Sequence, residues 1–376
     1  MRILFISAAT GGGSARSTFE LAELLAPRGH DIGILSRTTG AERRKQIHKR
    51  AVNLRTKLEP SAGAKIVGSI AQQIGRNPRV TAGHGSLAVW ETILPENSLG
   101  PVLKQFRPEV VVVSSMGVTT WREVRAELAA AEIPSVLYIR EERGLLHLTL
   151  SKAPPDRLLT NAHALTDECV ALGYAADTVP SIVMLDDSRV ESTRTRILYV
   201  NPLYVQGVDI ALTLAEARPD IPFVFQEWWV LPADEREHIE RRLRALPRAE
   251  LRAPVSDPKI LYADALALLA PFRFNGRSRL VLEAQSNGIP VLGSDRPAVA
   301  ESIGAGGVLV DIDAPAAAWA AGLAELIDDP ARYRAYSATA LEHASRAEVD
   351  PAAITDRFEQ IITEVVASPH SRFGVT

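Results

Sequence analysis

The chain has 376 residues, a formal net charge of −3 and the apolar content of an ordinary globular protein. This length predicts two domains of similar size, and the charge excludes a general electrostatic attraction to nucleic acid. The single cysteine, Cys169, excludes an internal disulfide and a cysteine metal cluster, which favours a reducing, cytoplasmic location.

The first half of the sequence alternates short apolar runs with longer amphipathic ones. The buried strands are predicted to be ILFISA, DIGILS, VVVVSS and VLYI, with helices such as FELAELLAPRG and WREVRAELAAAE between them. Continuous apolar runs are typical of parallel strands covered on both faces. The N-terminal run is short and glycines follow it, which indicates a strand rather than a signal peptide. No run approaches the roughly 18 apolar residues that cross a membrane.

The second half repeats this alternation, with strands predicted at RILYV, PFVFQEW, ALALLAPF, PVLGSD and GGVLVD. The polar segment VMLDDSRVESTRTR lies between the halves and is predicted to link them. We therefore predict an α/β fold with two doubly wound, Rossmann-like domains that face each other across a cleft. The first domain is predicted over 1–187 and the second over 188–352. Residues 353–376 are predicted to form a helix that could pack on either domain, including back on the first.

One loop in the second half combines several arginines with a helix start. The segment RFNGRSRLVLEAQSN follows a buried strand and places Arg273, Arg277 and Arg279 around a helix that begins near Ser278. A helix start offers unpaired N–H groups and the positive end of a dipole. Adjacent guanidinium groups would complete a phosphate site. The alternative is a solvated arginine face that is ion-paired with acidic neighbours.

The first strand ends in a glycine-rich turn, ATGGGSARSTFE, which lets a ligand approach the backbone. As a dinucleotide fingerprint the turn is weak. Gly11 and Gly13 match its first two glycines, but Arg16 stands at the third, and the next strand supplies no acid for a ribose. A nicotinamide enzyme that prefers a 2′-phosphate remains an alternative.

Beyond these loops, the order of segments resembles the retaining glycosyltransferases of family 4, which have the GT-B fold. The resemblance is carried by FISAATGGGSARSTFELAELLAPRGHDIGILS, ILYVNPLYVQGVDIAL, APVSDPKILYADALALLAPF and VLEAQSNGIPVLGSDRPAVAES. It implies transfer of a sugar from a nucleotide diphosphate sugar to a small-molecule or glycan acceptor, with retention. It implies no cofactor and no metal.

The resemblance also implies donor-binding residues. Glu283 matches the second acid of the family's E-x7-E motif, which binds the ribose hydroxyls. Ser278 and Leu280 match the helix start whose backbone meets the diphosphate. Val255 lies in the loop that matches the base-binding loop. Gly12–Gly13 match the turn that closes on the phosphates from the other domain.

Three positions depart from the family pattern. The first acid of the E-x7-E motif falls on Asn275, which both donates and accepts hydrogen bonds, so an unusual donor sugar is implied. The family's two basic residues that hold the leaving diphosphate fall on Pro202 and Gln206. A cation about 4 Å from a phosphate is worth about 4 kcal/mol at an effective dielectric of 20. We therefore predict that Arg277 and Arg279 supply the missing charge, with Arg273 as a further candidate.

The acceptor side is predicted from the strand VLYI and from the segment TAGHGS. Arg140 and Glu141 end that strand and should face the cleft, where Arg140 would bind phosphate or acceptor. An internal ion pair of Arg140 is an equal alternative. His84 lies among glycines and is an acceptor candidate, with a structural role as the alternative.

Two further motifs favour ordinary structural interpretations. The basic run Arg43–Lys57 has only a weak apolar stripe, which indicates a solvated face and at most peripheral membrane contact. Asp311–Asp313 is a D-x-D sequence, but it lies away from the proposed phosphates, so we expect no catalytic metal there.

Two alternatives to a glycosyltransferase remain open at this point. A pseudoenzyme that binds a nucleotide sugar or a partner protein without catalysis is favoured by Asn275, Pro202 and Gln206. The same fold could also catalyse a different bond-forming reaction, as glycosyltransferase-like coupling enzymes or sugar-nucleotide epimerases do.

Overall fold

The computed structural model of the chain describes residues 1–7, 12–37, 42–58, 61–75, 79–81, 87–114 and 116–368. The chain divides into two compact units. The first comprises Met1–Asn161, Thr166–Val179 and the residues from Ile354 onward, and the second comprises Ala162–Leu165 and Pro180–Ala353.

The first unit contains an eight-stranded sheet in the order β3-β4-β2-β1-β5-β6-β7-β8. Its strands are β1 (Arg2–Ser7), β2 (Asp31–Arg37), β3 (Arg79–Thr81), β4 (Ala88–Thr92), β5 (Val110–Ser114), β6 (Ser135–Ile139), β7 (Arg157–Thr160) and β8 (Asp177–Thr178). All neighbouring strands pair in parallel except β3 and β4. The central strand β1 is buried from Ile3 to Ser7, as its continuous apolar run predicts.

Helices connect these strands. They are α1 (Gly13–Leu25), α2 (Glu42–Leu58), α3 (Ala62–Gly75), α4 (Leu99–Phe106), α5 (Val118–Ala130), α6 (Glu142–Ser151) and α7 (His163–Ala171). The predicted basic run lies in α2, and its described side chains are mostly exposed, including Arg50, Arg55 and Lys57. The first residues of α7 belong to the second unit and the rest to the first.

The second unit contains a parallel six-stranded sheet in the order β11-β10-β9-β12-β13-β14. Its strands are β9 (Arg196–Val200), β10 (Phe223–Gln226), β11 (Ala249–Arg252), β12 (Ala265–Ala270), β13 (Val291–Ser294) and β14 (Gly307–Val310). The chain runs outward from β9 in one direction to β11 and then returns to β12 and runs in the other direction. The strand order therefore reverses between β9 and β12, which is the place where open α/β sheets bind ligands.

Helices cover both faces of this sheet. They are α8 (Val208–Ala217), α9 (Ala233–Leu243), α10 (Lys259–Tyr262), α11 (Arg279–Ser286), α12 (Pro297–Ile303), α13 (Ala316–Ile327) and α14 (Pro330–Ala344). One buried cluster joins α8, α9 and α13 to one face, and a second joins α10, α11 and α12 to the other. Helices on both faces explain why the inner strands β9, β12 and β13 are buried along most of their length.

A last helix, α15 (Pro351–Ala367), follows, and its residues from Ile354 onward belong to the first unit. Phe358 stacks on Phe5 of β1 with 5.9 Å between ring centroids, and Glu359 accepts a hydrogen bond of 3.0 Å from Arg28. The continuous part of the second unit, Pro180–Ala353, begins before the start predicted at Ser188. The α/β architecture with two Rossmann-like units agrees with the prediction.

Two further observations bear on solvent and membrane exposure. The only cysteine of the chain, Cys169, is fully buried in α7, and burial raises the pKa of its thiol to about 12. Among the described residues, no helix is long and apolar enough to cross a membrane.

Gly207 lies in the loop after β9, where this loop packs against the loop after β12 at the strand-order reversal. It follows a 3-10 turn at Tyr204–Gln206 and has φ 81° in the left-handed region. A Cβ at this position would overlap the carbonyl oxygen and ring of Pro271, which follows β12. Glycine is therefore needed here for both conformation and space.

We predict that Gly207→Ala lowers the free energy of unfolding by about 2–4 kcal/mol, because left-handed strain adds to overpacking. Gly173→Ala is the matched control, since Gly173 has φ +85° but open space around its Cα. Its cost should be only about 1–2 kcal/mol. Urea unfolding measures both, and equal losses would contradict the steric part of the argument.

Candidate functional site

The loops that follow β9 and β12 meet at the carboxyl edge of the second sheet. The backbone N–H of Arg273 donates to the carbonyl oxygen of Val205 at 3.1 Å, so the two loops are joined directly. The guanidinium of Arg273 lies over the ring of Tyr204, 4.6 Å from its centroid. It also contacts Asp209 in the first turn of α8, with Nη2 2.6 Å from Oδ2.

Helix α11 begins at this edge. Ser278 is its N-cap and has extended backbone angles, and its side chain makes no capping hydrogen bond. Ser278 is buried and Leu280 is partly buried against the core. The first-turn N–H groups and the positive end of the helix dipole therefore lie where the sequence predicted a phosphate site.

The opposite end of α11 is fixed by the GIPV segment and by Arg194. Gly288 has φ 62°, which is the left-handed conformation that ends many helices. The Arg194 guanidinium donates to the carbonyl oxygens of Asn287 and Gly288 at 2.6 and 2.7 Å. A cation at the helix C-terminus is favourable, so Arg194 stabilises the helix that carries Glu283.

Glu283 lies on α11 and is only 3 % exposed. Its Oε2 accepts a hydrogen bond of 2.7 Å from the Tyr262 hydroxyl, and its Oε1 accepts one of 2.5 Å from Nε of Arg279. An ionised carboxylate has about four acceptor positions, so two bonds orient Glu283 without using its full capacity. This arrangement suits a carboxylate that receives further hydroxyl donors.

Arg277 and Arg279 are both ion-paired inside the unit. The Arg279 side chain is 10 % exposed and contacts Glu283, while the Arg277 side chain is 7 % exposed and lies 2.8 Å from Glu348. Burial alone would raise the pKa of Glu348, but the hydrogen bond and charge of Arg277 outweigh it and lower the pKa. Both guanidinium charges are thus balanced by carboxylates, and their role in compensating for Pro202 and Gln206 stays a prediction.

A cluster near Arg277 offers atoms of the kinds that bind metals. Ligand atoms of His163, Glu301 and Glu348 lie within 4.8 Å of one another. The same carboxylates face Arg277, at 2.8 Å for Glu348 and 3.6 Å for Glu301, and Glu301 accepts the N–H groups of His163 and Ala164. We interpret the cluster as an ion-pair network that caps α7 and assign no metal to it.

Asn275 has a structural contact that the sequence did not reveal. It is buried, and its Oδ1 accepts a hydrogen bond of 2.7 Å from the N–H of Ala298 in the first turn of α12. A carboxylate could accept the same bond, so the contact does not explain the choice of an amide. The predicted contact of Asn275 with a sugar is not tested by this geometry.

The loop that follows β11 contains Val255, which is partly buried against the core. The carbonyl oxygen of Ala253 in the same loop accepts a hydrogen bond of 2.6 Å from Gln226. Glu227, beside Gln226, is fully buried, with Oε2 2.6 Å from Nη2 of Arg236. Burial of Glu227 could not be predicted from the sequence, because an acid after a strand is usually exposed.

In the first unit, Arg140 connects the end of β6 to the start of α1. Its Nη1 donates to the hydroxyl oxygens of Ser14 and Thr18 at 2.9 and 3.1 Å, and its guanidinium lies 4.3 Å from the centre of the Tyr138 ring. Burial lowers the pKa of Arg140. These partners are hydroxyl oxygens and an aromatic ring, not the carboxylate of the ion pair that the sequence offered as an alternative, and the predicted ligand contact of Arg140 stays a prediction.

The remaining first-unit candidates are placed as follows. Gly12 has φ 84° and precedes α1, which begins at Gly13, so the turn needs glycine at Gly12. Glu141 is the exposed N-cap residue of α6 and makes no side-chain capping bond. His84 lies outside the described residues.

The D-x-D sequence has a local explanation. Oδ1 of Asp311 accepts a hydrogen bond of 2.8 Å from the N–H of Asp313, which forms a turn before α13. Its strand, β14, is at the edge of the sheet and is separated from β12 by β13. However, Ile312 and Asp313 line a pocket of about 300 Å³ together with Arg273, so the motif lies closer to the arginine-rich loop than the sequence predicted.

Comparison with known proteins bears directly on the second unit. The family model described as glycosyl transferases group 1 matches residues 194–329. The match lies within the second unit and covers less than half of the chain. A curated relative, the D-inositol 3-phosphate glycosyltransferase of Thermobispora bispora, is 36% identical over 126 residues. The match covers 32% of this chain and only 28% of the relative's length.

Solved structures resemble the whole chain. Sucrose-phosphate synthase from Thermosynechococcus elongatus has a TM-score of 0.74 at 16% identity and covers 98% of this chain and 99% of its own. Anabaena HepE, in complex with UDP and glucose, has a TM-score of 0.71 at 14% identity, with 97% and 100% covered. At these identities the likeness shows the fold alone. It confirms the predicted two-domain α/β fold, which is that of GT-B glycosyltransferases.

Within the residues that the family model matches, the sequence predicted Glu283 and Ser278 as candidates but gave no prediction for Tyr262. The signal available was the short apolar segment ILYADALALL, in which a tyrosine hydroxyl is buried and needs an acceptor. Its partner lies 21 residues further along the chain, so only the packing of α10 against α11 identifies it.

We predict that Tyr262→Phe lowers the free energy of unfolding by about 1.5–3 kcal/mol, because a buried hydrogen bond to a carboxylate is lost. Tyr336→Phe is the matched control, since the Tyr336 hydroxyl donates to Glu325 at the same 2.7 Å but in an exposed position. Its cost should be below about 1 kcal/mol. Urea unfolding distinguishes the two, and equal effects would contradict a special role for Tyr262.

A second prediction concerns pH and Glu348. Its lowered pKa means that the contribution of the carboxylate to stability is complete above the ordinary value of 4.5 and is lost as the pH falls through the folded value. Glu348→Gln should therefore reduce stability at about pH 7 more than at about pH 3. Urea midpoints of both proteins at the two pH values test this, and an equal difference at each pH would contradict it.

Proposed function

We propose that the chain is a glycosyltransferase that transfers a sugar from a nucleoside diphosphate sugar to an acceptor hydroxyl. The observation that carries the proposal is the α11 start at the strand-order reversal, within the residues that the group 1 family model matches, with buried Glu283 one turn further along the helix. A helix N-terminus suits the diphosphate, and a carboxylate oriented by Tyr262 suits the two ribose hydroxyls.

The ligands of similar solved structures support a nucleoside diphosphate sugar as the class of donor. Anabaena HepE is described in complex with UDP-glucose, and the pneumococcal transferase GtfA in complex with UDP and GlcNAc. The curated relative is itself a glycosyltransferase. We therefore propose a nucleoside diphosphate sugar as donor, with Ser278, Leu280 and Val255 as further donor contacts.

The proposed reaction exchanges one bond at the anomeric carbon. The bond from this carbon to the diphosphate oxygen breaks, and a bond to the acceptor oxygen forms on the same face. The acceptor proton passes to the departing diphosphate, so no protein base is required for balance. Stabilising the departing charge is then the main task of the protein. We propose that this needs no metal ion.

Two observations favour a second candidate, a protein that binds the nucleotide sugar without turnover. Pro202 and Gln206 carry no charge, and the nearby Arg277 and Arg279 are balanced by carboxylates. Without a free cation, departure of the diphosphate would be slow by orders of magnitude.

Calorimetry with UDP, GDP and ADP, followed by assays of diphosphate release from the matching sugar nucleotides, tests the proposal. We expect one base to bind, release to depend on an acceptor, and EDTA to have no effect. Glu283→Gln should weaken binding about 10- to 100-fold, because a charged acceptor is lost. Glu216→Gln, an exposed acid of α8, is the control and should not change binding.

The outcomes separate the candidates. Binding without release, across acceptor sugars, polyols and phenols, would support the non-catalytic protein. No binding of any nucleoside diphosphate would contradict both.

A further inference from the structure

Helices α2 and α3 concentrate positive charge in a chain whose formal net charge is −3. Together they contain eight of the 42 lysines and arginines but only one of the 45 aspartates and glutamates. Seven of these basic residues lie in α2. The positive charge is therefore local, and it can attract an anionic partner even though the chain as a whole is negative.

The described basic side chains of these helices are open to solvent. Arg50, Lys57 and Lys65 are exposed, and among the residues that the structure describes none forms an ion pair with them. In this they differ from Arg277 and Arg279, whose charges are balanced by carboxylates. The potential of the two helices is therefore available to a partner outside the chain.

Large apolar side chains of the same helices are exposed as well. Ile66 is 64 % exposed and Ile70, one turn further along α3, is 48 % exposed. Ile47 and Leu54 of α2 are two turns apart and are 47 % and 49 % exposed. Residues at these spacings share a helix face, so each helix presents an apolar pair to solvent. Exposed apolar side chains that are grouped in this way are typical of interaction surfaces.

The packing of the two helices leaves this surface uncovered. Helix α2 packs mainly on α3, and α3 also contacts the 3-10 turn Pro95–Ser98. Ala64 is buried, and Ala51 and Leu58 are half-buried. The sequence of α2 alone shows only a weak apolar stripe. The structure adds the second apolar pair, because it places α3 beside α2 with Ile66 and Ile70 exposed.

We propose that the hairpin of α2 and α3 binds an anionic membrane surface, with the exposed apolar pairs entering the interface and the basic side chains lying at the lipid phosphates. Basic amphipathic helices bind membranes in this way, and the contribution of each lysine or arginine is lost within a Debye length of the surface. An acidic protein or a nucleic acid would match the charge but not the exposed isoleucines. The inference is independent of the proposed function.

The test is co-sedimentation of the full chain with vesicles of phosphatidylcholine alone and of phosphatidylcholine with about 30 % phosphatidylglycerol. We expect binding to the anionic vesicles at least about 10-fold stronger than to the neutral ones, and weaker binding as NaCl is raised from about 0.05 to 0.5 M. The paired change Lys57→Gln and Lys65→Gln should weaken binding to the anionic vesicles about 10- to 30-fold.

The apolar contribution is tested separately. The paired change Ile66→Asn and Ile70→Asn should weaken binding to the anionic vesicles about 10- to 100-fold and leave its dependence on salt unchanged. Leu146→Asn is the matched apolar control, since Leu146 of α6 is 55 % exposed, and Lys104→Gln is the matched basic control, since Lys104 of α4 is exposed. Neither control should change binding.

Melting temperatures without vesicles show whether each variant is folded. If a paired variant does not fold, the single changes Ile66→Asn and Lys65→Gln decide, and each should still weaken binding.

Loss of vesicle binding in both paired variants, with both controls unchanged, supports the proposal. No binding of the wild type to anionic vesicles at low salt overturns it, and so does binding that the isoleucine changes leave intact. Binding to polyglutamate or to DNA but not to vesicles would also overturn it, because the partner would then be an acidic polymer rather than a membrane.

Discussion

The fixed position of α11 is the constraint on which the candidate site depends. At its C-terminal end Arg194 and the left-handed Gly288 satisfy carbonyl groups that a helix otherwise leaves unpaired. Along its buried face Glu283 is held by Tyr262 and Arg279. A buried carboxylate is tolerated only when such partners are present. The same contacts that stabilise the helix therefore orient the carboxylate and present the helix start at the sheet edge.

Charge balance decides what the arginine-rich loop can do. Three arginines beside a helix start suggest a strongly positive surface, yet the structure places a carboxylate against each of them. Guanidinium groups that are paired with carboxylates in this way add little net positive potential. The arginines are nevertheless unequal, because Arg273 contacts an exposed carboxylate and Arg279 a buried one.

The sequence predicted the fold because apolar runs and helix signals are local. The runs RILFIS and ALALLA are strands, and VDIALTLAEA is a helix, in the order that a doubly wound sheet requires. It also located the α11 start and Glu283. It could not supply contacts between distant segments, such as Arg140 with Ser14 or Arg277 with Glu348, because these depend on how helices pack. For the same reason it missed the division of α7 between the two units.

The burial of Cys169 has a practical consequence for spectroscopy. A thiol with a pKa near 12 and no solvent access reacts slowly with maleimides and other alkylating labels at neutral pH. Because the chain has no other cysteine, a thiol introduced at an exposed position becomes the sole reactive group without removal of the native one. Fluorophores or spin labels can therefore be attached one per molecule on an otherwise unaltered protein.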